Sequence, residues 1–329
     1  MENQNNNLAN NSEYEKLKNS RFKQQKLPAW RPVPTIGTTI AIFLCFGIVF
    51  IIIGIIVLMY SKEIFEKTIL YAPTTDCPDT KSTCFINFQI DQDINSKVMF
   101  YYQLTNFYQN HRRYVKSKSN DQLLGKDLTK EQVTTDCDPI ITNKDLEMGQ
   151  LRSFNDTSII LPNDQVAFPC GLIAKSFFND TFAIKPTATG APQDNPKSPI
   201  FINDTGIAWA ADLELKYKRP ENKTVLNKMW IDTTNEHFVV WMRPAGLPDF
   251  RKLWGRIDGL KKGEYTLQIN NNYSTKIFNG SKAVVMSTVN AFGGKNTFLG
   301  VSYIVVGGIC ILTAIGFFVG DRIQKDKSN

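Results

Sequence analysis

The chain has 329 residues, of which 42% are apolar, and its 38 Lys and Arg residues against 31 Asp and Glu residues give a net charge of +7. This composition excludes a disordered or collagen-like chain and leaves room for one large domain or two small ones. Two stretches, residues 36–60 and 298–320, contain no charged residue at all. As helices rising about 1.5 Å per residue, both can cross a hydrocarbon core of about 30 Å, which excludes a cytosolic enzyme.

The N-terminal tail, residues 1–34, has two parts. The first is rich in Asn and contains too few apolar groups to order itself. Residues 21–34 instead interleave cations with Phe22, Leu27 and Trp30, and the prolines among them prevent a regular helix. This second part fits two interpretations equally well. It is either a basic membrane anchor with Trp30 at the headgroup level, or an extended arm that docks on a cytosolic partner.

Residues 35–60 are predicted to form an uncleaved signal anchor, because the apolar run is longer than a signal-peptide core and begins late in the chain. Lys and Arg are in excess before this span, and the tail after the second span 298–320, residues 321–329, is basic as well. Positive charge of this kind stays in the cytosol. Both termini are therefore expected in the cytosol, with residues 61–297 in the lumen or outside the cell. The chain is expected to be a multi-pass protein of the secretory and endomembrane system, in the endoplasmic reticulum, Golgi, endosome or plasma membrane.

The region between the spans has mostly strand-like patterns. Runs of β-branched and aromatic residues predict strands at 85–90, 98–104, 237–242, 265–269 and 283–289. Residues 106–118 and 247–260 are predicted to be helical, the second because its apolar residues recur at helical spacing. The Pro-rich residues 185–203 are predicted to be irregular. We therefore predict a membrane protein in which two transmembrane helices flank a large, mainly antiparallel β, sandwich-like ectodomain with short helical insertions.

Four of the six cysteines, Cys77, Cys84, Cys137 and Cys170, lie in this region, an even number in what is expected to be an oxidising compartment. Four cysteines can pair in three ways. The pairs Cys77–Cys84 and Cys137–Cys170 are favoured, because a short loop and an adjacent long one avoid crossing the chain. A four-cysteine zinc site is disfavoured, since no Cys-x-x-Cys spacing is present.

Asn-x-Ser/Thr sequons in the same region predict a glycosylated domain. Their six acceptors are Asn155, Asn179, Asn203, Asn222, Asn272 and Asn279. A further sequon at Asn10 is expected to stay unmodified, because it lies on the cytosolic side.

Both predicted spans carry glycines at spacings that let helices pack closely. They are Gly47 and Gly54 in the first span, and Gly300, Gly307, Gly316 and Gly320 in the second. Gly316 and Gly320 form a GxxxG pattern. Neither span contains Asp, Glu, Lys, Arg or His, so neither carries a proton relay or a charged pore lining.

Motifs for catalysis or cofactor binding are missing from the sequence. It has neither G-x-S-x-G nor H-E-x-x-H, and His111 and His237 are its only histidines. Arg112 and Arg113 flank His111 and would lower its basicity. Their guanidinium groups are better suited to pairing with carboxylates on this domain or on a partner. We predict a non-enzymatic protein with no cofactor, no metal and no nucleic-acid partner.

A two-span ligand-gated channel subunit is the main alternative class, since it shares the cytosolic termini and the large disulfide-bonded loop. Such channels need a polar pore lining, which these spans lack. A lumenal enzyme is a weaker alternative, because no catalytic motif supports it.

Six specific strings favour one family over these classes. They are FKQQKLPAWRP at 22–32, NFYQNHRRYVKS at 106–117, PCGLIAKSFFNDT at 169–181, GIAW at 206–209, FVVWMRPAGLPDFRKLW at 238–254 and GGKNTFLGVSYI at 293–304. With these strings the chain resembles the non-catalytic β-subunits of phospholipid flippases, the accessory partners of type-IV P-type ATPases (the Cdc-fifty/Lem-three family). The resemblance runs almost from end to end.

The resemblance implies a one-to-one complex with a catalytic type-IV P-type ATPase that moves aminophospholipids to the cytosolic leaflet. This chain would support the folding, endoplasmic-reticulum export and activity of that ATPase, and Asn179 best matches a family glycan site. We expect the ectodomain and the glycine faces of the spans to contact the partner, the spans to contact membrane lipids, and the 21–34 arm to brace the partner's cytosolic side. The residues expected to bind the partner are Phe22, Lys23, Gln24, Gln25, Leu27, Pro28, Trp30, Arg31, Arg112, Arg113, Gly316 and Gly320.

Overall fold

Two units make up the computed structural model, which describes residues 18–26, 34–75, 77–78, 82–187 and 199–328. One unit holds the two long apolar helices, up to Ile56 and from Phe298 onward. The other is Val57–Thr297, called here the β domain. The long helices are α1 (Ile36–Lys62) and α9 (Thr297–Ser328).

The strands of the β domain are β1 (Glu66–Ala72), β2 (Ser82–Ile90), β3 (Val98–Leu104), β4 (Thr181–Pro186), β5 (Phe250–Ile257), β6 (Gly263–Asn271) and β7 (Lys282–Thr288). The short α-helices between them are α2 (Arg112–Lys116), α3 (Asn120–Leu123), α4 (Lys130–Cys137), α5 (Leu172–Lys175), α6 (Ala210–Leu215), α7 (Lys223–Leu226) and α8 (Glu236–Met242), with 3-10 turns at Asn143–Leu146 and Lys276–Phe278.

The helices α1 and α9 are apolar on all sides and expose most of that surface. Only 11% and 17% of their most apolar 18-residue stretches are buried within the protein. A helix that is apolar all round needs an apolar environment, and both are long enough to span a bilayer. The expected two-span membrane protein with a mainly antiparallel β domain is therefore confirmed.

Glycines bring α1 and α9 into close contact. A Cβ added to Gly47 would lie 2.9 Å from the carbonyl oxygen of Gly307, and one added to Gly54 would lie 2.9 Å from that of Gly300. Side chains larger than hydrogen would therefore force the helices apart at these positions. The expectation that these glycines pack on a partner's spans is wrong, because the chain's own two helices occupy those faces.

Two antiparallel sheets form the β domain. The first has the strand order β1-β7-β3-β5 and the second the order β2-β6-β4. Strand β7 is buried along its whole length because it lies between β1 and β3. Strand β3 alternates buried and partly buried residues, as expected for a strand with one face on the core.

Aromatic side chains join the two sheets in a common core. Phe182 of β4 lies 5.8 Å from the Tyr71 ring of β1, 5.4 Å from the Phe100 ring of β3 and 5.3 Å from the Trp254 ring of β5, all edge to face. Such pairs add about 0.5–1.5 kcal/mol each beyond the area they bury. One core shared by two sheets is the predicted sandwich architecture.

A buried ion pair closes one end of this sandwich. The Lys282 ammonium lies 2.8 Å from Asp180 Oδ2, and both side chains are fully buried. The Tyr71 hydroxyl donates to the same oxygen at 2.7 Å, while the backbone N–H groups of Asn272 and Tyr273 donate to Asp180 Oδ1 at 2.6 Å. Such dense hydrogen bonding is what a buried carboxylate requires.

The chain between β3 and β4 forms a smaller lobe with its own apolar cluster. Val133, Ile140, Leu146 and Ala167 pack there around the Cys137–Cys170 disulfide. A second disulfide joins Cys77 to Cys84. These are the two pairings favoured by the sequence analysis. The free cysteines, Cys45 and Cys310, lie in α1 and α9.

The helix predicted at 247–260 is wrong, because this segment contains strand β5. Strand β5 pairs with β3, and its register shifts where Phe100 faces Gly255 and Tyr101 faces Leu253. The bulge puts an extra residue into the strand, which breaks the two-residue alternation and places apolar residues at intervals resembling a helix.

Two further predictions of secondary structure are wrong. Residues 237–242 were expected to be a strand but belong to α8, whose first turn is capped by Asn235: its side-chain oxygen accepts from the N–H groups of His237 and Phe238. This capping outweighs the strand preference of two adjacent valines. The predicted helix 106–118 shrinks to α2. Asn106 has a left-handed backbone (φ +58°), and His111 is extended (φ −64°, ψ 131°), so the helix begins only at Arg112.

Strands β1 and β4 were not predicted from the sequence, whereas the strands expected at 85–90, 98–104, 265–269 and 283–289 are present. β1 comes soon after α1 and starts with the charged residues Glu66 and Lys67, so its apolar run is too short to indicate a strand. β4 covers residues 181–186, so its last two residues belong to the segment 185–203 that was predicted to be irregular. Residues 188–198 of that segment lie outside the described residues.

We predict that Asp180→Ala lowers the free energy of unfolding by about 3–5 kcal/mol, because it leaves the Lys282 charge buried without its carboxylate. Asp121→Ala is the matched control, since Asp121 pairs with Lys126 on the surface, and it should cost less than about 1 kcal/mol. Chemical denaturation of the purified protein in detergent measures both. Equal costs for the two variants would contradict the structural role of the buried pair.

We predict that Gly307→Leu separates α1 from α9, whereas Gly308→Leu does not. A Cβ at Gly307 would lie 2.8 Å from the Gly47 carbonyl oxygen, but one at Gly308 meets nothing within 4 Å. The readout is oxidative cross-linking of cysteines placed at Phe50 and Tyr303, whose rings are 5.8 Å apart. Cross-linking should be lost in the first variant and kept in the second; retention in both would refute the glycine contact.

Candidate functional site

Helix α8 ends against a buried lysine. The ammonium of Lys252, on β5, donates to the carbonyl oxygens of Val240 at 3.1 Å and Trp241 at 2.9 Å, and also to that of Arg243. These carbonyls have no partners within the helix, and a cation is favoured at this end of the helix dipole. Burial nevertheless lowers the pKa of Lys252 to about 7. Lys252 therefore fixes the direction in which the chain leaves α8.

Arg243, the residue directly after α8, contacts both Asp212 and Trp209. The Arg243 guanidinium donates to Asp212 of α6 and lies 5.2 Å from the centre of the Trp209 ring. Lys216 pairs with the same carboxylate at 2.8 Å. The hydrogen bond from Arg243, followed by that from Lys216, holds the pKa of Asp212 below its usual range. The Asp212 side chain is buried and holds the Arg243 guanidinium in place, whereas about half of the Arg243 side chain remains exposed.

Trp209 is held in an exposed position by the loop before α6. Its side chain is 67% exposed although it is large and apolar. The Glu236 carboxylate accepts hydrogen bonds from the N–H groups of Gly206 at 2.8 Å and Ala208 at 2.9 Å, which fixes this loop. On the same side, His237 Nε2 lies 3.2 Å from Asp204 Oδ2. The exposed tryptophan thus sits on a rigid support.

Together these elements form a groove of about 470 Å³, called here the Trp209 groove. It is lined by Tyr101, Ile207, Ala208, Trp209, Asp212, Val239, Val240, Arg243, Ala245, Arg251, Lys252 and Leu253. Most of these residues come from the strings GIAW and FVVWMRPAGLPDFRKLW, which lie far apart in the sequence. A rigid groove with an exposed Trp and Arg has the composition of a protein-binding surface.

Arg112 and Arg113 line a second groove, of about 410 Å³. Asp136 and Asp138 form its other side, together with Pro139. Both arginines are exposed, and neither makes an ion pair in the described part of the chain. The structure therefore leaves them accessible but assigns them no partner within this domain.

The N-terminal arm is described only in part. Phe22, Lys23, Gln24 and Gln25 form a turn in which the Gln24 N–H donates to the Ser20 carbonyl at 2.9 Å, and the Phe22 side chain is exposed. Leu27, Pro28, Trp30 and Arg31 lie outside the described residues.

Gly316 and Gly320 differ from the glycines between α1 and α9. A Cβ added to either would meet nothing within 4 Å in the described chain. The GxxxG face is thus open within this protein, and its expected role in binding a partner stays a prediction.

The asparagines of the six sequons lie at the surface of the β domain, and all but the partly buried Asn203 are exposed. Asn222 caps α7, with its side-chain oxygen accepting from the Thr224 N–H at 2.9 Å. Asn155 donates its side-chain amide to Asn227 at 2.8 Å. Modification of these six asparagines stays a prediction. Among the described residues no group of three His, Cys, Asp or Glu side chains could hold a metal ion.

Comparison with known proteins identifies the family. A family model described as the LEM3 (ligand-effect modulator 3) family / CDC50 family matches residues 65–327. The chain belongs to this family. Relatives include cell cycle control protein 50A of Mus musculus, which is 36% identical over 94% of this chain and 90% of its own length. ALA-interacting subunit 3 of Arabidopsis thaliana is 35% identical over 92% and 85%, and cell cycle control protein 50B of Homo sapiens is 31% identical over 92% and 92%.

The match to the CDC50 family covers the whole Trp209 groove, both disulfides and helix α9 up to residue 327. The two strings that line the groove stand out in the sequence, but no role was predicted from them for Trp209, Arg243 or Lys252, and none for Asp212. Asp212 lies outside the six strings and carries no local signal. Only Lys252, a charged residue in an otherwise apolar strand, could have been singled out from the sequence.

We predict that Asp212→Asn lowers the free energy of unfolding by about 1–3 kcal/mol at pH 7, because the charge-assisted hydrogen bonds to Arg243 and Lys216 weaken. The folded-state pKa of Asp212 is lowered, so its contribution is complete above the unfolded pKa near 4 and is lost as the pH falls through the folded value. The two proteins should therefore converge in denaturation curves below about pH 3. A difference that does not change with pH would contradict this assignment.

Proposed function

We propose that this chain is the non-catalytic accessory subunit of a phospholipid flippase. It would bind a type-IV P-type ATPase in a one-to-one complex and support the folding, endoplasmic-reticulum export and activity of that ATPase. Membership in the CDC50 family supports this, as does the name of the Arabidopsis relatives, which describes them as subunits that interact with ALA. ATP hydrolysis and aminophospholipid movement would belong to the partner.

The Trp209 groove is the observation that carries this proposal. Interfaces are enriched in Trp, Tyr and Arg, and residues that dominate binding lie where neighbours hold them in one position. Trp209 and Arg243 are exposed yet fixed by Glu236 and Asp212, so little conformational entropy remains to be lost on binding. A loop of the ATPase on the same side of the membrane is the partner we propose for this groove.

The other predicted contacts extend the same proposal. Both termini would be cytosolic, and the β domain would be lumenal or extracellular and glycosylated. Gly316 and Gly320 of α9 would face a span of the ATPase, and the arm at 21–34 would brace its cytosolic side. Contacts at three places on one chain act with a high effective concentration, so each can be weak. Membrane lipids would contact the remaining surface of α1 and α9.

The test is affinity purification of the full chain in mild detergent, with quantification of the co-purifying P-type ATPase. Trp209→Ala and Arg243→Ala should each reduce the ATPase bound to this chain about tenfold or more, since residues of this kind contribute about 2 kcal/mol or more. Phe85→Ala is the matched control, because Phe85 is 60% exposed on β2, in the other sheet, and it should have no effect.

Circular dichroism of each purified variant separates lost binding from lost folding. If the groove variants fold normally and retain the ATPase at the level of the control, the groove is not the contact. If the unmodified chain brings down no P-type ATPase at all, the proposed function itself is wrong.

A further inference from the structure

A groove of about 640 Å³ lies beside Asn279 in the β domain. One wall consists of Pro73, Thr74, Thr75 and Pro78, and the other of Thr275, Lys276, Asn279 and Gly280. Ala72, the last residue of β1, pairs with Lys282, the first residue of β7, so the groove lies at this end of the first sheet. Its lining combines proline rings with threonine hydroxyls.

The first wall is fixed by a turn and a disulfide. The backbone groups of Thr74 and Cys77 bond each other at 3.2 and 3.3 Å, and the Thr74 hydroxyl donates to the Tyr71 carbonyl at 2.7 Å. Cys77 is joined to Cys84, while the Asn271 side chain donates to the Pro78 carbonyl at 2.8 Å. The exposed faces of Pro73, Thr75 and Pro78 are thereby presented in one arrangement.

The second wall is equally fixed. A Cβ at Gly280 would lie 2.2 Å from the Thr105 carbonyl oxygen, so only glycine fits there. Ser281 also joins this segment to Thr105, because its N–H donates to the Thr105 hydroxyl at 2.8 Å. Asn279 itself has a left-handed backbone (φ +48°) and an exposed side chain. In the described part of the chain its side-chain amide has no hydrogen-bond partner.

Asn279, Gly280 and Ser281 also form a sequon, so the expected modification is attached in the wall of the groove. The other sequons are placed differently. Asn155 and Asn272 donate their side-chain amides to Asn227 and to the Asn179 carbonyl, and Asn222 caps a helix. None of these asparagines is part of the wall of this groove.

We propose that an N-linked glycan on Asn279 folds back into this groove, with its first sugar residue packed against the wall formed by Pro73, Thr75 and Pro78. This inference rests on the glycosylated β domain of the proposed function. A sugar ring has apolar C–H faces that suit proline rings and hydroxyl edges that suit threonine. Because the sugar is tethered at the wall, its effective concentration there is high and weak contacts suffice.

In this groove the Asn279 glycan would have a structural role. It would cover the wall formed by Pro73, Thr75 and Pro78 and slow local opening of the two walls. The glycan would also keep this end of the β domain closed to protein partners.

Hydrogen exchange with mass spectrometry on the full-length chain, purified from eukaryotic cells together with its bound partners, tests the proposal. Peptides covering 70–78 and 273–281 should exchange several-fold faster in Asn279→Gln than in the unmodified chain. Asn222→Gln is the matched control and should leave these peptides unchanged. Glycopeptide mass analysis of the same samples reports whether Asn279 carries sugar.

Enzymatic trimming shows which part of the glycan protects the groove. Endoglycosidase H leaves Asn279 with a single sugar and should retain the protection of both peptides. A peptide N-glycosidase removes the whole glycan, leaves an aspartate at position 279 and should abolish the protection. An unmodified Asn279, unchanged exchange in Asn279→Gln, or a single sugar that protects no better than none would each overturn the proposal. Co-purification of a P-type ATPase is scored separately, so its absence would count against the proposed function and not against this glycan contact.

Discussion

The β domain depends on one buried ion pair. Lys282 begins β7, the central buried strand of the larger sheet, and its ammonium reaches Asp180 just before β4 of the smaller sheet. Two buried charges are costly to remove from water, and here the Tyr71 hydroxyl and two backbone N–H groups satisfy the carboxylate. The pair therefore forms only when the start of β7 in the first sheet meets the residue just before β4 in the second sheet. Its geometry also fixes Asn179 on the surface beside Asp180.

The surface proposed to bind a partner follows from this framework. A bulge in β5 sets the positions of Lys252 and Trp254, and Lys252 in turn receives the end of α8. Directly after α8, Arg243 contacts both Asp212 and the Trp209 ring. The exposed Trp209 ring is therefore supported by the hydrogen bond between Arg243 and the buried Asp212. Such a surface gains binding energy from residues that are already ordered.

The two units of the chain hold different kinds of contact. In the unit formed by α1 and α9, glycines bring the two helices together. In the β domain, the residues next to the Cys77–Cys84 disulfide and the Asn279 sequon border a groove lined by proline and threonine side chains. An accessory subunit of this kind would pair its helices through glycine and cover this groove with sugar.

The sequence by itself determined the two apolar spans, the presence of a β sandwich, the favoured cysteine pairs and the family, because these follow from composition, local alternation and long strings of residues. The tertiary structure alone decided that 247–260 is a strand, since a bulge against β3 imitates helical spacing, and that 237–242 is a helix, since Asn235 caps it. It also decided that Asp212 and Trp209 meet Arg243, and that Lys282 meets Asp180. Contacts between residues distant in sequence leave no local pattern, so no reading of neighbouring residues could have supplied them.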